Sequence, residues 1–266
     1  MSPMHERVLS HFGFSRLPFS KQLSVKDLFA SASHKEALAR LAFGLTTEDL
    51  LLLTGAVGCG KSLALMSFVD QLDANCYHPV YVRATGLSEG QLFKTILEGL
   101  RIEAPFFSSH ARRLFFSSIP QLPRKPVVLL DDAQDLPQPT LRALKSMANF
   151  NFDSHSPITF VLAGQPELRT LLGYAQFLSL RQRIRISCHM HPLSLQESCH
   201  YIQHHTSIAG CPTSIFSDAA QAAVHRHTNG VPRAINAICF RSVLHAVAND
   251  IKVIDDSDLD LDEIAD

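Results

Sequence analysis

The run Gly55-Ala56-Val57-Gly58-Cys59-Gly60-Lys61-Ser62 has the residue types and spacing of a phosphate cradle. Glycines let the backbone curl until several N–H groups converge on one anion, and a lysine and a hydroxyl follow where a phosphate chain would lie. Lys61 is expected to reach the β- and γ-phosphates of ATP, and the Ser62 hydroxyl to ligate Mg²⁺. The expected phosphate-binding set is Gly55, Gly58, Cys59, Gly60, Lys61, Ser62 and Leu63. Further along, Val127-Val128-Leu129-Leu130-Asp131-Asp132 is an apolar run ending in two acids. Asp131 offers the hard oxygens that Mg²⁺ requires, largely through the ion's water shell. Taken alone, each feature has a plain alternative, a glycine turn or a strand-end turn. Together they specify a nucleotide site.

Such a cradle works between a buried strand and a helix N-terminus, whose dipole adds positive potential. The sequence supplies both. Short apolar runs at 50–54, 79–83, 127–131 and 158–163 alternate with helical patterns at 61–73, 88–100 and 138–149, and a further strand is expected at 185–190. Apolar runs separated by helices describe a parallel sheet covered on both faces. Pro120, Pro123 and Pro126, and the stretch Ser154-His155-Ser156-Pro157, mark element boundaries. Beyond Pro192 the strands stop, and helices are expected at 194–208, 216–228 and 232–248. Gly210-Cys211-Pro212 and Asn229-Gly230-Val231-Pro232 separate them. The expected fold class is α/β: a phosphate-loop domain with a parallel sheet flanked by helices, followed by a small all-helical lid. Its parts are a lead-in at 1–48, with a helix opening near Ser33, the sheet domain at 49–192, the lid at 193–250 and an acidic tail at 251–266.

The 266 residues are 46% hydrophobic and 18% charged, with no apolar run near the roughly 20 residues that span a bilayer. Met1-Ser2-Pro3-Met4-His5-Glu6-Arg7 lacks the order of a secretory signal, and the six cysteines form no C-x-x-C pair. A cytoplasmic chain with reduced thiols and no membrane partner is expected. The net charge of −1 conceals an asymmetry, because residues 250–266 hold eight acids and one base. Residues 1–249 therefore keep 17 of the 25 acids and 23 of the 24 bases, a balance that permits a polyanionic partner. Arg112-Arg113 and Arg124-Lys125 are candidate bases for a DNA-facing surface. The acidic end reads as a solvated, mobile tail, with competition for a basic surface as the sharper alternative. His200, His204 and His205 have helical spacing, but no Glu follows His200 and no cysteine pair completes a metal site. Solvated helix faces are the expectation there.

Three longer segments carry a resemblance. Leu129-Leu130-Asp131-Asp132-Ala133-Gln134, Ala163-Gly164-Gln165-Pro166-Glu167-Leu168 and Gly230-Val231-Pro232-Arg233-Ala234-Ile235-Asn236 together resemble the ExeA-like group of AAA+ ATPases. That group is similar to the TniB, TnsC and MuB helper ATPases of transposition. Phe12-Gly13-Phe14, Pro18-Phe19, Leu28-Phe29 and His34 resemble its N-terminal signature, so the similarity spans residues 8–255.

The resemblance implies further roles. Gln165 takes the sensor-1 position, and Arg183 the arginine-finger position that reaches a neighbouring subunit, with Arg181 as its close competitor. Arg233 takes the sensor-2 position of the helical lid. Each has an ordinary alternative: a turn before Pro166 for Gln165, surface or nucleic-acid contacts for Arg181 and Arg183, and a first-turn helix residue for Arg233. The group usually has Glu after the Mg²⁺-binding Asp, where it positions the attacking water; this chain has Asp132. One methylene fewer implies near-normal ATP binding and slow hydrolysis to ADP and phosphate. The implied partners are double-stranded DNA, a transposase and further copies of the chain in a homo-oligomeric ring or filament. The alternatives are a secretion or pilus-assembly ATPase and a protein-binding regulatory ATPase. The secretion branch is expected to carry a membrane segment and a wall-binding domain, neither of which is read in these residues.

Overall fold

Five short segments hydrogen-bond into one parallel sheet in the computed structural model, which describes residues 3–20, 23–47, 50–150, 156–211 and 213–261. The boundary residues Ser154 and His155, the turn residue Pro212 and the acids Asp262, Glu263 and Asp266 lie outside the described residues. The chain divides into two units. The sheet unit is drawn from Ala32–Val57 and Lys61–Met190, and the helical unit from Met1–Ser31, Gly58–Gly60 and His191–Asp266.

In chain order, α1 (Pro3–Phe12) belongs to the helical unit and α2 (Ala32–Thr47) to the sheet unit. The sheet unit continues with β1 (Leu50–Gly55), α3 (Lys61–Asp70), β2 (Tyr77–Arg83), α4 (Glu89–Gly99), α5 (Ser108–Ser118), β3 (Lys125–Asp131) and α6 (Gln138–Met147). It ends with β4 (Thr159–Gly164), α7 (Pro166–Gly173), α8 (Leu178–Arg181) and β5 (Ile184–Met190). The strand order is β2-β3-β4-β1-β5, with every pairing parallel. All residues of β1 and β4 are buried, which is why these runs lack a two-residue alternation. The edge strands β2 and β5 alternate near their ends. From β1 the chain jumps outward to β2, steps back through β3 and β4, then crosses to β5 on the far side of β1. This order sets the C-terminal ends of β3, β4 and β1 side by side at a topological switch point, where ligands of open α/β sheets bind.

The observed fold is the expected α/β arrangement, with departures in detail. Residues 108–118 form α5, because Ala111 and Phe115, four apart on one face, are both fully buried. Pro126, read as a boundary, is the second residue of β3, ahead of that strand's pairing with β4 from Val127. A missing N–H is tolerated at such a strand start. The segments α1, α7 and α8 fall outside the expected helices too. The core of the unit includes Leu130, Leu162, Phe93, Phe115 and Phe160.

The helical unit continues with α9 (Leu195–Ile208), α10 (Asp218–Thr228) and α11 (Pro232–Ala248). Ser194 and Glu197 form a capping box on α9, Ser217 caps α10, Asn229 closes α10 at φ 49°, and Pro232 opens α11. Val8, Phe14 and Phe19 are buried in one cluster with Ile202, Phe216 and Ile235. The expected lead-in is therefore divided: residues 1–31 go with the helical unit through those apolar side chains, and α2 goes with the sheet.

The acidic end departs from a solvated tail. Ile254 is fully buried and bridges Phe216 in parallel, Asp255 caps a short 3-10 turn, and Arg241 reaches the Asp260 carbonyl. His200 is exposed as expected, but its two companions differ. His205 is buried and stacked on Phe19 at 5.2 Å between centroids, and His204 Nε2 donates to the Asp27 carbonyl at 2.7 Å. Among the described residues no group of three or more His, Cys, Asp or Glu is arranged to hold a metal, and no helix is long and apolar enough to cross a membrane.

Candidate nucleotide site

From the buried end of β1 the chain turns through residues 56–60 into α3 at Lys61. Gly58 and Gly60 adopt φ of +82° and +91°, a region that strains any residue with a Cβ. Gly58 also lacks room, since a Cβ there would lie 2.7 Å from Arg233 Cβ and 3.0 Å from Val231 Cγ1. Within the helical unit the Arg233 backbone N–H donates to the Gly58 carbonyl at 3.3 Å. Cys59 is buried, and Leu63 is exposed in the first turn of α3.

Lys61 is buried, and its Nζ donates to the carbonyls of Gly55 at 2.8 Å and Ala56 at 3.0 Å. Its charge thus lies inside the curl of the loop. Ser62 Oγ donates to Asp131 Oδ2 at 2.7 Å. Asp131, buried at the end of β3, also accepts the Tyr81 O–H on Oδ2 at 3.0 Å and the Asp132 N–H on Oδ1 at 3.1 Å. Three donors hold this carboxylate in one orientation. Burial, and next the bond to Asp131, push the Tyr81 phenol above its ordinary value, so it stays protonated and donates at neutral pH.

Asp132 follows at φ 55°, ψ 42°, in the left-handed region. Its Oδ1 accepts from Gln134 Nε2 at 3.3 Å, and Gln134 Oε1 accepts the Gln165 N–H at 3.0 Å. Gln165 stands at the end of β4 and precedes α7. The structure thus brings together Lys61, Ser62, Asp131 and Asp132 and ties Gln165 to them through Gln134. It does not bring in Arg183. That residue precedes Ile184, which pairs with Leu50 at the start of β1, so Arg183 is at the opposite end of the sheet from Gly55. At a strand rise of ~3.3 Å per residue, the length of β1 separates them by roughly 20 Å. Arg181 is exposed and donates to the Gly173 carbonyl at 3.2 Å. Arg233 is exposed in the first turn of α11.

Two contributors escaped the sequence reading. Tyr81 carries no local signal, because its place beside Asp131 depends on β2 pairing with β3. Gln134 lies in the run that carried the resemblance, yet its role depends on β3 and β4 being neighbours.

The donor set fits magnesium. Ser62 Oγ and Asp131 Oδ2 are hard oxygens 2.7 Å apart. Ser62 would hold the ion directly, and Asp131 largely through its water shell. Loop amides and an enclosed ammonium suit a polyphosphate. Residues 45–172 match the AAA domain family. The chain carries an AAA ATPase domain. It is 33% identical over 258 residues to General secretion pathway protein A of Aeromonas hydrophila, covering 94% of this chain and 47% of that protein. The chain thus spans about half the length of this curated relative. Its fold is similar to Cdc6p from Pyrobaculum aerophilum, with a TM-score of 0.69 and 18% identity over 92% of this chain and 68% of that one. It is also similar to the ORC1 protein of Aeropyrum pernix solved in complex with DNA, with a TM-score of 0.64 and 15% identity over 86% of this chain and 64% of that one. These findings support an ExeA-like AAA ATPase that uses ATP and Mg²⁺.

Proposed function

We propose that this AAA ATPase is an ATP-gated assembly factor that forms a ring or filament on duplex DNA and there recruits or activates a transposase, as the TniB, TnsC and MuB helpers do. The loop amides and Lys61 hold the phosphates, while Ser62 and Asp131 hold Mg²⁺, which supplies charge neutralisation at the phosphate oxygens. Asp132 orients the attacking water, Gln165 senses the γ-phosphate, and Arg233 senses it from the helical lid. Arg183 serves the site of a neighbouring copy.

The observation that carries the assembly reading is the place of Arg183 at the N-terminal end of the sheet, beside the start of β1. An arginine that far from its own phosphate loop has no part in its own site, so as a finger it acts in trans. ATP held between copies then gives the assembled state its differential affinity, and hydrolysis releases it. The excess of 23 bases over 17 acids in residues 1–249 supports a nucleic-acid partner, as does the likeness in fold to an ORC1 protein in complex with DNA. Arg113 is exposed, while Arg112 faces Glu89 at 3.6 Å and Arg124 donates to the Ala74 carbonyl. Binding through such bases is salt-dependent and weak in sequence preference.

A second reading, a secretion ATPase, is favoured by the 33% identity to General secretion pathway protein A. Sedimentation and negative-stain imaging with duplex DNA under ATP, a non-hydrolysable analogue, ADP and no nucleotide separate the two. DNA-coated assemblies that require ATP support the first reading. Nucleotide-dependent oligomers indifferent to DNA eliminate it and leave the second.

A further inference from the structure

We infer that Gln134 is a positioning residue that aims the Asp132 carboxylate by anchoring it to the backbone at the end of β4. The inference rests on the reading of Asp132 as the water-orienting acid. The Gln134 amide makes two bonds, donating to Asp132 Oδ1 at 3.3 Å and accepting the Gln165 N–H at 3.0 Å. A backbone N–H can only donate, so the atom facing Gln165 is the amide oxygen, and the NH₂ is the end turned to Asp132. A carboxylate in its place would lose that donor; a lysine would add a charge that lowers the acid's basicity.

Two features of the surroundings are organised around this amide. Asp132 is in the left-handed region, φ 55° and ψ 42°, which few residues other than glycine adopt and which Asp tolerates. Its side chain makes no hydrogen bond to cap the short helix it begins and accepts instead from Gln134. At the other end, Gly164 leaves the space the amide fills. A Cβ there would lie 2.7 Å from Gln134 Oε1 and 2.8 Å from Leu168 Cδ2, so any larger residue would push the amide out of its place. The consequence is a mechanical link: a shift of the end of β4 against β3 moves the donor that holds Asp132. Gln134 touches no reacting atom in this account and acts through Asp132 alone.

The test is steady-state ATP hydrolysis by the full chain with Mg²⁺ in Gln134→Met, which keeps the length but neither bond, and Gln134→Glu, which keeps the acceptor for Gln165 and loses the donor. Asp132→Ala and the double variant Asp132→Ala/Gln134→Met are measured alongside. Both Gln134 variants should lose about ten-fold or more in kcat, with KM for ATP and Tm near wild type, since sub-ångström aim is what the amide supplies. The double variant should be no slower than Asp132→Ala. Should the Met variant fail to fold, the Glu variant decides. A kcat within twofold of wild type in the folded Gln134 variants, beside a slow Asp132→Ala, overturns the inference and leaves the reading of Asp132 intact. A further loss in the double variant overturns it too, because Gln134 would then act elsewhere. An Asp132→Ala enzyme at the wild-type rate sinks the reading of Asp132 itself.

Discussion

Lengthening Asp132 by one methylene separates reach from aim. The added C–C bond of ~1.5 Å carries the carboxylate about 1 Å further along the side chain. If the short arm leaves the water an ångström out of line, recovery of up to ~10²-fold is available, since a misplacement of that size costs about that much. Two effects oppose the gain. The backbone at φ 55°, ψ 42° suits Asp better than Glu, and the 3.3 Å bond from Gln134 has to be remade. The backbone effect is worth up to ~1 kcal/mol, or about 2–4 °C in Tm for a domain of this size. Asp132→Glu should therefore hydrolyse ATP at least about ten-fold faster, melt a few degrees lower and bind ATP as before. A coupled ADP-release assay and a melting curve give both quantities. A folded, ATP-binding Asp132→Glu enzyme with unchanged or lower kcat refutes the short-side-chain argument.

Other expectations follow from single contacts. Gly58→Ala puts a Cβ 2.7 Å from Arg233 Cβ on a backbone at φ +82°, and should cost ~2 kcal/mol or more and abolish binding of a fluorescent ATP analogue; wild-type affinity would show that the loop has room. Ile254→Ala empties a fully buried site and should lower stability in urea by ~2–4 kcal/mol, whereas a loss below ~0.5 kcal/mol would return the segment to the status of a solvated tail. Burial holds the His205 imidazole at about 4, below its ordinary 6.5. The unfolded chain therefore takes up this proton first, and stability present above pH 6.5 is lost as the pH falls toward 4, by on the order of 3 kcal/mol. His205→Phe should flatten that part of the stability–pH curve, and an unchanged slope would assign it to other groups.

What the sequence revealed and what it hid divide along the range of the interactions. The phosphate loop is contiguous, so its glycines, Lys61 and Ser62 are legible as a string. The strands are legible because burial on both faces leaves runs such as Leu50-Leu51-Leu52-Leu53 without alternation. Tyr81 and Gln134 were hidden because they reach their acids across strand neighbours, β2 to β3 for the one and β3 to β4 for the other, and strand order is not written in any local pattern. His205 and Ile254 misled for a related reason. A histidine in a polar helix and an isoleucine among aspartates look solvated until Phe19 and Phe216, far away in sequence, cover them. The prolines at 120–126 mask the start of β3 at Lys125, and α5 shows only through the buried pair Ala111 and Phe115, too few apolar positions to mark a helix among polar residues.

The central claim is that the curled loop, Lys61 and the Ser62–Asp131 pair hold ATP with Mg²⁺. Equilibrium binding of labelled ATP in the presence of Mg²⁺, compared between wild type and Lys61→Ala, tests it most directly. The account predicts saturable binding by the wild type and at least a ten-fold loss, about 1.4 kcal/mol, in the variant. A wild-type protein without measurable affinity, or a variant that binds equally well, would contradict it.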